Sequence, residues 1–140
     1  MNDKEILSLL KKKGHRMTMA RRAIVRMIVQ AKKPLSAADF HALLSKEALH
    51  PNVVTVYREL AFLEKEGILR SMKLKDGVKR YCNAAAGHHH HIVCTKCDTV
   101  ADVDMACDDL HTVEKQLARK NNFTIKSHSL EFYGLCSRCG

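Results

Sequence analysis

The chain has 140 residues, 46% of them hydrophobic, with 5% aromatic residues and no Trp; that length allows one domain or two small ones with thin cores. Its apolar runs are far shorter than the ~20 residues a membrane helix needs, which excludes a spanning segment. Net charge is +9, unevenly spread: residues 1–81 hold 18 Lys/Arg against 8 Asp/Glu, and residues 82–140 hold 6 against 7.

The predicted elements begin with an amphipathic helix over residues 4–12, with Ile6, Leu7, Leu9 and Leu10 on one face, ended by Gly14. Thr18 is the predicted N-cap of a helix carrying Ile24, Val25, Ile28 and Val29, and Pro34 closes that element. Ser36 caps a third helix with Phe40, Leu43 and Leu44 inward. Pro51 and Asn52 open a fourth, with Val53, Val56, Leu60 and Leu63 at helical spacing and Gly67 as C-cap. The period then changes. Residues 68–75 and 78–82 flank Asp76-Gly77, a hairpin signal, and the hairpin carries Arg70, Lys73, Lys75, Lys79 and Arg80. Short helices followed by a hairpin read as a winged helix-turn-helix over residues 1–82. A cationic excess confined to that half suggests that it binds a polyanion, because clustered cations meet phosphates and release counterions. A solvated basic surface would give the same charge pattern.

Residues 83–87, Asn-Ala-Ala-Ala-Gly, read as a flexible linker. Beyond it, residues 88–94 and 99–103 read as strands, 108–120 as a helix and 123–135 as a long final strand. Residues 88–140 thus form a small α/β domain, and the whole chain is of the α+β class.

Six cysteines occur, at 82, 94, 97, 107, 136 and 139. No signal-peptide pattern opens the chain, so the expected location is the cytoplasm, where thiols stay reduced and paired cysteines point to metal. Cys94-Thr-Lys-Cys97 and Cys136-Ser-Arg-Cys139 are two Cys-x-x-Cys knuckles. Each lets two thiolates reach one ion from a tight turn, and together they make a closed shell of four, the pattern of structural zinc. The competing reading, two disulfides, would close loops too short to stabilise much. Cys107 lies outside the pattern and is read as a plain thiol.

His88-His-His-His91 leads directly into Ile92-Val93-Cys94. In a strand, His88 and His90 face one way and His89 and His91 the other, so each pair offers two imidazoles to a different ion. Imidazole suits several metals and does not choose among them. Cys82, Asp102, Asp109 and His128 are candidates to complete the shells. Each has a plainer reading, as a solvated carboxylate, a small buried thiol or a surface histidine.

At this point the chain resembles the Fur (ferric uptake regulator) family, and within it the zinc-sensing Zur subgroup. The residues that carry the resemblance are Gly14-His-Arg-Met-Thr18 with Arg21, Val54-Thr-Val-Tyr-Arg58, Gly67, Arg80-Tyr81, the histidine run with Cys94 and Cys97, and Cys136-x-x-Cys139. The resemblance implies a homodimeric repressor that binds an AT-rich inverted repeat in double-stranded DNA, with no membrane and no small-molecule substrate as partner. It implies that Cys94, Cys97, Cys136 and Cys139 hold structural zinc. Cys82, His89, His91 and Asp102 are implied as the regulatory hinge set, and His88, His90, Asp109 and His128 as a second set, with Asp109 in place of the more usual Glu. One or two further divalent metals are therefore expected, zinc first, with iron or manganese as alternatives. Cys82 stands where iron- and peroxide-sensing members carry an acidic ligand and zinc-sensing members carry Cys. An iron- or peroxide-responsive regulator is the alternative. Two positions depart from family ligand patterns: Pro34 cannot ligate, and Arg70 should repel a cation.

Tyr57 and Arg58 lie one turn into the fourth helix and are implied to face bases in the major groove, with Arg16 as a basic minor-groove probe. The plainer readings are a core aromatic and solvated charges. An enzyme would need an open metal position beside a general base, and the chain has no His-Glu-x-x-His, phosphate-binding glycine loop or nucleophile elbow. A metal store would leave the basic half unexplained.

Overall fold

A computed structural model describes residues 1–86, 90–103, 108–126, 128 and 130–140. The chain divides into two compact units, 1–87 and 88–140.

In the first unit, α1 (Asp3–Lys12) starts at Asn2, whose side chain accepts from the Glu5 N–H while Glu5 accepts from the Asn2 N–H. This reciprocal cap satisfies two amides that no helix turn can reach. Thr18 caps α2 (Met19–Gln30) by accepting from the Arg21 N–H at 3.1 Å. Ser36 and Asp39 form a second capping box at the start of α3 (Ala37–Lys46), directly after the two-residue β1 (Leu35–Ser36). Asn52 caps α4 (Val53–Lys65) by accepting from the Val54 N–H. Gly67, at φ +71°, turns the chain out of that helix in a conformation costly for other residues.

β2 (Leu69–Lys73) and β3 (Lys79–Asn83) then pair antiparallel, and β1 adds to the far side of β3 to give the order β1-β3-β2. This is the winged arrangement that the sequence predicts. The hairpin loop is wider than two residues, because Lys73 pairs with Lys79 and the five residues between them form the turn. Leu74 turns inward and is buried, the Gly77 N–H donates to the Leu74 carbonyl at 2.9 Å, and Asp76 accepts from the Val78 N–H at 2.9 Å. Burying Leu74 while Asp76 caps the turn outweighs the tighter Asp-Gly register.

One apolar cluster holds this unit together, with Ile6, Leu10, Ile24, Ile28, Phe40, Leu44, Val56, Leu60 and Leu63 all sealed from water. Val53, expected on the same stripe, is exposed because it occupies the first turn of α4, beyond the reach of the other helices. Inside the cluster's rim, Arg21 on α2 meets Glu59 on α4 through Nε and Nη2 at 2.8 and 3.2 Å, and its guanidinium lies 3.8 Å from the Phe62 ring centre. The segment after β3 is not free coil: residues 84–86 make one 3-10 turn, with the Ala84 N–H on the Ile68 carbonyl and the Ala85 N–H on the Asn83 side chain.

The second unit has β4 (His90–Cys94), β5 (Val100–Val103), α5 (Asp108–Asn121) and β6 (Glu131–Gly134). β4 is central, antiparallel to β5 and parallel to β6. Among the described residues, the predicted strand over 123–135 is realised at 131–134. Asn122, at φ +54°, reverses the chain after α5, the Phe123 N–H returns to the Ala118 carbonyl at 2.9 Å, and residues 123–126 lead toward the sheet without pairing in it.

Candidate metal centre and nucleic-acid interface

Cys94 ends β4 and Cys136 follows β6. Because these strands run parallel with Cys94 opposite Gly134, both Cys-x-x-Cys turns arrive at one end of the sheet. The Thr95 N–H ties the two turns by donating to the Gly134 carbonyl at 2.8 Å. Each turn curls its backbone onto its first cysteine: the Asp98 N–H donates to the Cys94 carbonyl, and the Cys139 and Gly140 N–H groups to that of Cys136. All four sulfurs lie within 4.8 Å of one another, and Cys97 Sγ is 3.7 Å from Cys136 Sγ. Around a zinc ion with bonds of about 2.3 Å, tetrahedral sulfurs stand about 3.8 Å apart, so the donor set fits that ion in type, number and spacing.

Acidity at this cluster is divided. The Cys136 N–H, donated to Cys94 Sγ at 3.4 Å, leads the backbone contacts that hold the Cys94 thiol down at about 6. The Thr99 hydroxyl, 3.2 Å away, lowers Cys97. Cys139 is pushed up to about 12, first by its hydrogen bond with Cys97 and next by that with Cys136. Four thiols this close share protons among themselves, and a dication would displace those protons and favour thiolate at every position.

The histidine strand presents two faces. His90 and His91 are both buried, at 3% and 6% exposure, although ordinary surface strands keep imidazoles wet. His91 stands opposite Asp102 in the β4–β5 ladder, and its Nδ1 lies 3.0 Å from Asp102 Oδ1. The resemblance implies one set for these two, and the pairing of β4 with β5 brings them together. On the other face, the His90 ring stacks on that of His128 with centroids 5.6 Å apart. The resemblance implies a shared set for these two as well. His88, His89, Cys107 and the side chain of Asp109 lie outside the described residues.

Two residues escaped the sequence reading. Glu114 Oε1 lies 2.7 Å from His128 Nδ1, and Glu114 Oε2 lies 3.2 Å from His111 Nδ1. The hydrogen bond from His128, above all, holds the Glu114 carboxyl below its ordinary value. The i,i+3 spacing of His111 and Glu114 on one helix face was the available signal.

Cys82 lies in the first unit, on β3 opposite Arg70. It is half-buried, and its S–H donates to the Arg70 carbonyl at 3.5 Å, while the Arg70 side chain is exposed.

On α4, Tyr57 and Arg58 are both exposed, with Tyr57 at 55%. Val53 and Val54 beside them are exposed too. Tyr57 is therefore no core aromatic. The first turns of α4 offer water a ring, two branched aliphatics and a guanidinium, a set suited to thymine methyls and base edges. Arg16 is exposed in the turn before α2. On the hairpin, Lys79 pairs with Glu64 of α4 at 2.8 Å, and Arg80 pairs with Asp76 at 2.6 Å. That Arg80 pair leads the influences that hold the Asp76 carboxyl at about 2.

A family model described as the ferric uptake regulator family matches residues 12–133. The ferric uptake regulation protein of Bacillus subtilis (strain 168) is 35% identical over 130 residues, spanning 90% of this chain and 86% of that protein. The peroxide operon regulator of the same organism is 30% identical over 136 residues, spanning 97% of this chain and 92% of that one. Among solved structures, the Vibrio cholerae ferric uptake regulator superposes with a TM-score of 0.75 at 28% identity, covering 92% of this chain and 98% of that one.

Proposed function

The chain belongs to the ferric uptake regulator family of metal-responsive transcription regulators, which are not enzymes, and from that premise we propose that it is a zinc-responsive, cytoplasmic repressor that binds an AT-rich inverted repeat as a homodimer. The observation that carries the choice of zinc is Cys82: a thiolate in the regulatory set favours a borderline ion over Fe(II), which prefers nitrogen and oxygen donors. Cys82, His89, His91 and Asp102 are the proposed regulatory donors, and the 3.0 Å approach of His91 to Asp102 supports the half of that set that lies on the sheet. The four-cysteine cluster is the proposed structural zinc site. Exposed Tyr57, Arg58 and Arg16 support direct contact with DNA.

Homodimerisation is supported by the second unit's exposed apolar residues, among them Val113, Leu117, Phe123, Phe132 and Leu135. A second copy of the chain would cover such side chains where they adjoin one another. Among the described residues, no helix is long and apolar enough to cross a membrane.

The second reading, an iron- or peroxide-responsive regulator, is favoured by the names of the two Bacillus relatives. Titrating operator binding with zinc, iron and manganese at buffered free-metal levels separates the two. The expected result is that zinc drives binding and that Cys82→Ser keeps its fold and its four-cysteine zinc but loses the zinc response. A parent protein that responds to iron and ignores zinc, or a Cys82→Ser protein that responds to zinc like the parent, would give the second reading its place.

A further inference from the structure

The carboxylate of Glu114 stands between two imidazoles, and no donor set described so far includes it. One oxygen meets His128 Nδ1 at 2.7 Å and the other meets His111 Nδ1 at 3.2 Å. Lys115, Arg119 and Lys120 of α5 stand one, five and six positions from Glu114, off the face where it meets residues three or four away, so on its own helix the polar neighbour in reach is His111. His128 is only 20% exposed in its side chain, and the buried ring of His90 stacks against it at 29° between planes. Two imidazoles stacked on one side and a carboxylate aimed at Nδ1 on the other leave the His128 ring little freedom to rotate.

A neutral imidazole has one N–H and one lone pair. A carboxylate accepting from Nδ1 fixes the proton there, so the lone pair is on Nε2. It also raises the basicity of that nitrogen. Metal-binding histidines are held in this way by an outer carboxylate, backbone carbonyl or water. The hydrogen-bond length of 2.7 Å suits this role better than direct shared ligation, where nitrogen and oxygen of one tetrahedral zinc shell stand about 3.3 Å apart.

We infer that Glu114 is a positioning residue for a divalent transition-metal ion: it holds His128 as the Nδ1–H tautomer, so that Nε2 is the donor and His90 stacks beside it. The role does not depend on the side chain of Asp109, and it ties α5 to the metal set through a residue that never touches the ion. The inference rests on the reading that His90 and His128 belong to a second metal set. It does not rest on the regulatory set or on zinc being the effector.

The test uses the full chain with its four-cysteine zinc in place. Nitrogen-15 NMR of the imidazoles, without added metal, reads the His128 tautomer, and calorimetric titration with zinc reads uptake beyond the first equivalent. In the parent, His128 should be the Nδ1–H form. Glu114→Ala should shift it toward a tautomer mixture and weaken uptake at this set about 10- to 100-fold. Glu114→Gln, which can still accept from Nδ1 but without charge, should keep the tautomer and lose less affinity. His111→Ala removes the half-exposed partner and should leave both readouts near the parent.

An unchanged tautomer and affinity in Glu114→Ala would overturn the inference. So would a His111→Ala protein as impaired as Glu114→Ala, since the carboxylate would then be only one strut of a surface network. Operator binding by zinc is read separately. A parent that responds to zinc on DNA while Glu114→Ala takes up metal normally sinks this inference alone. A parent with no uptake beyond the first equivalent sinks it together with the second metal set.

Discussion

The two units differ in what holds them. The first encloses an apolar cluster drawn from all four helices and the sheet, with ten large side chains sealed from water. Among the described residues of the second, the buried apolar positions are Val93, Cys94 and Val100, and the other buried side chains are two histidines. Each sealed aliphatic or aromatic side chain contributes roughly 1.5–3 kcal/mol, so the first unit can stand on burial alone. A three-stranded sheet with so few such residues cannot, and small domains in that position need a staple. The four cysteines are placed where a staple acts: they join the end of the central strand to the chain after its parallel neighbour, which are distant in sequence.

This difference predicts its own largest effect. Strong chelation, or Cys94→Ser, should unfold the second unit and leave the first largely intact, because structural zinc at such sites contributes on the order of 10–16 kcal/mol of apparent binding energy. Hydrogen exchange measured by mass spectrometry would show protection lost across residues 90–103 and 131–134 but kept across α2 and α4. Simultaneous loss in both units would mean that the two are one cooperative body, and the comparison would fail.

A second test sharpens the account of the first unit. The Arg21–Glu59 pair is nearly sealed, with side chains 11% and 12% exposed. Arg21→Ala leaves Glu59 buried without its charge partner and should destabilise the unit by about 3–5 kcal/mol. Replacing both by apolar residues of similar size should cost far less. Because this pair locks α2 to α4, loss of Arg21 should also reduce operator affinity through a poorly placed helix, without change in metal content. Urea denaturation and zinc analysis of the same preparation would check both halves.

What could be read in the sequence follows the range of the interactions. Thr18 and Ser36 cap the helices they were predicted to cap, and Asn52 stands at the start of the helix it was read to open, because a helix start is a contact over two or three residues. The Cys-x-x-Cys turns were readable for the same reason, and their spacing implied a shared ion before any sheet joined them. The alternation of His90 and His91 followed from strand geometry alone. The exposure of Val53 was hidden, since helical period does not reveal where the neighbouring helices stop. The long strand over 123–135 failed because Asn122 in the left-handed region leaves no trace in hydropathy. Glu114 was missed because its partner His128 lies fourteen residues away across that same reversal. Contacts that depend on a chain reversal were the ones the sequence did not disclose.

Smaller effects belong to the DNA-reading surface. Tyr57→Ala and Arg58→Ala should each lower operator affinity by about 1–3 kcal/mol with relaxed discrimination at the bases they meet. Both side chains are exposed, so neither change should alter stability. Fluorescence anisotropy with operator and mutated duplexes gives the discrimination directly. If Tyr57→Ala bound its operator with unchanged specificity, α4 would not be the reading helix.

The smallest effect separates two lysines of the same hairpin. Both carry charge, and the sequence alone treats them alike. Lys79, however, is paired with Glu64 at 2.8 Å, a hydrogen bond that raises its ammonium above the ordinary lysine value, whereas Lys73, opposite it in the ladder, is exposed at the end of β2. A cation whose charge is already met by a carboxylate displaces fewer counterions from DNA than one that reaches a phosphate. Lys73→Gln should therefore weaken binding to all duplexes alike and reduce the slope of log affinity against log salt by about 1. Lys79→Gln should reduce that slope by less, and its remaining effect should come from Glu64, left charged on the flank of α4 and facing the same polyanion. Glu64→Gln combined with Lys79→Gln removes that repulsion and should recover part of the affinity. Anisotropy titrations across a range of potassium chloride would measure all three slopes. Equal slopes for the two single variants would show that the Lys79–Glu64 pair opens on binding and that both cations reach the backbone.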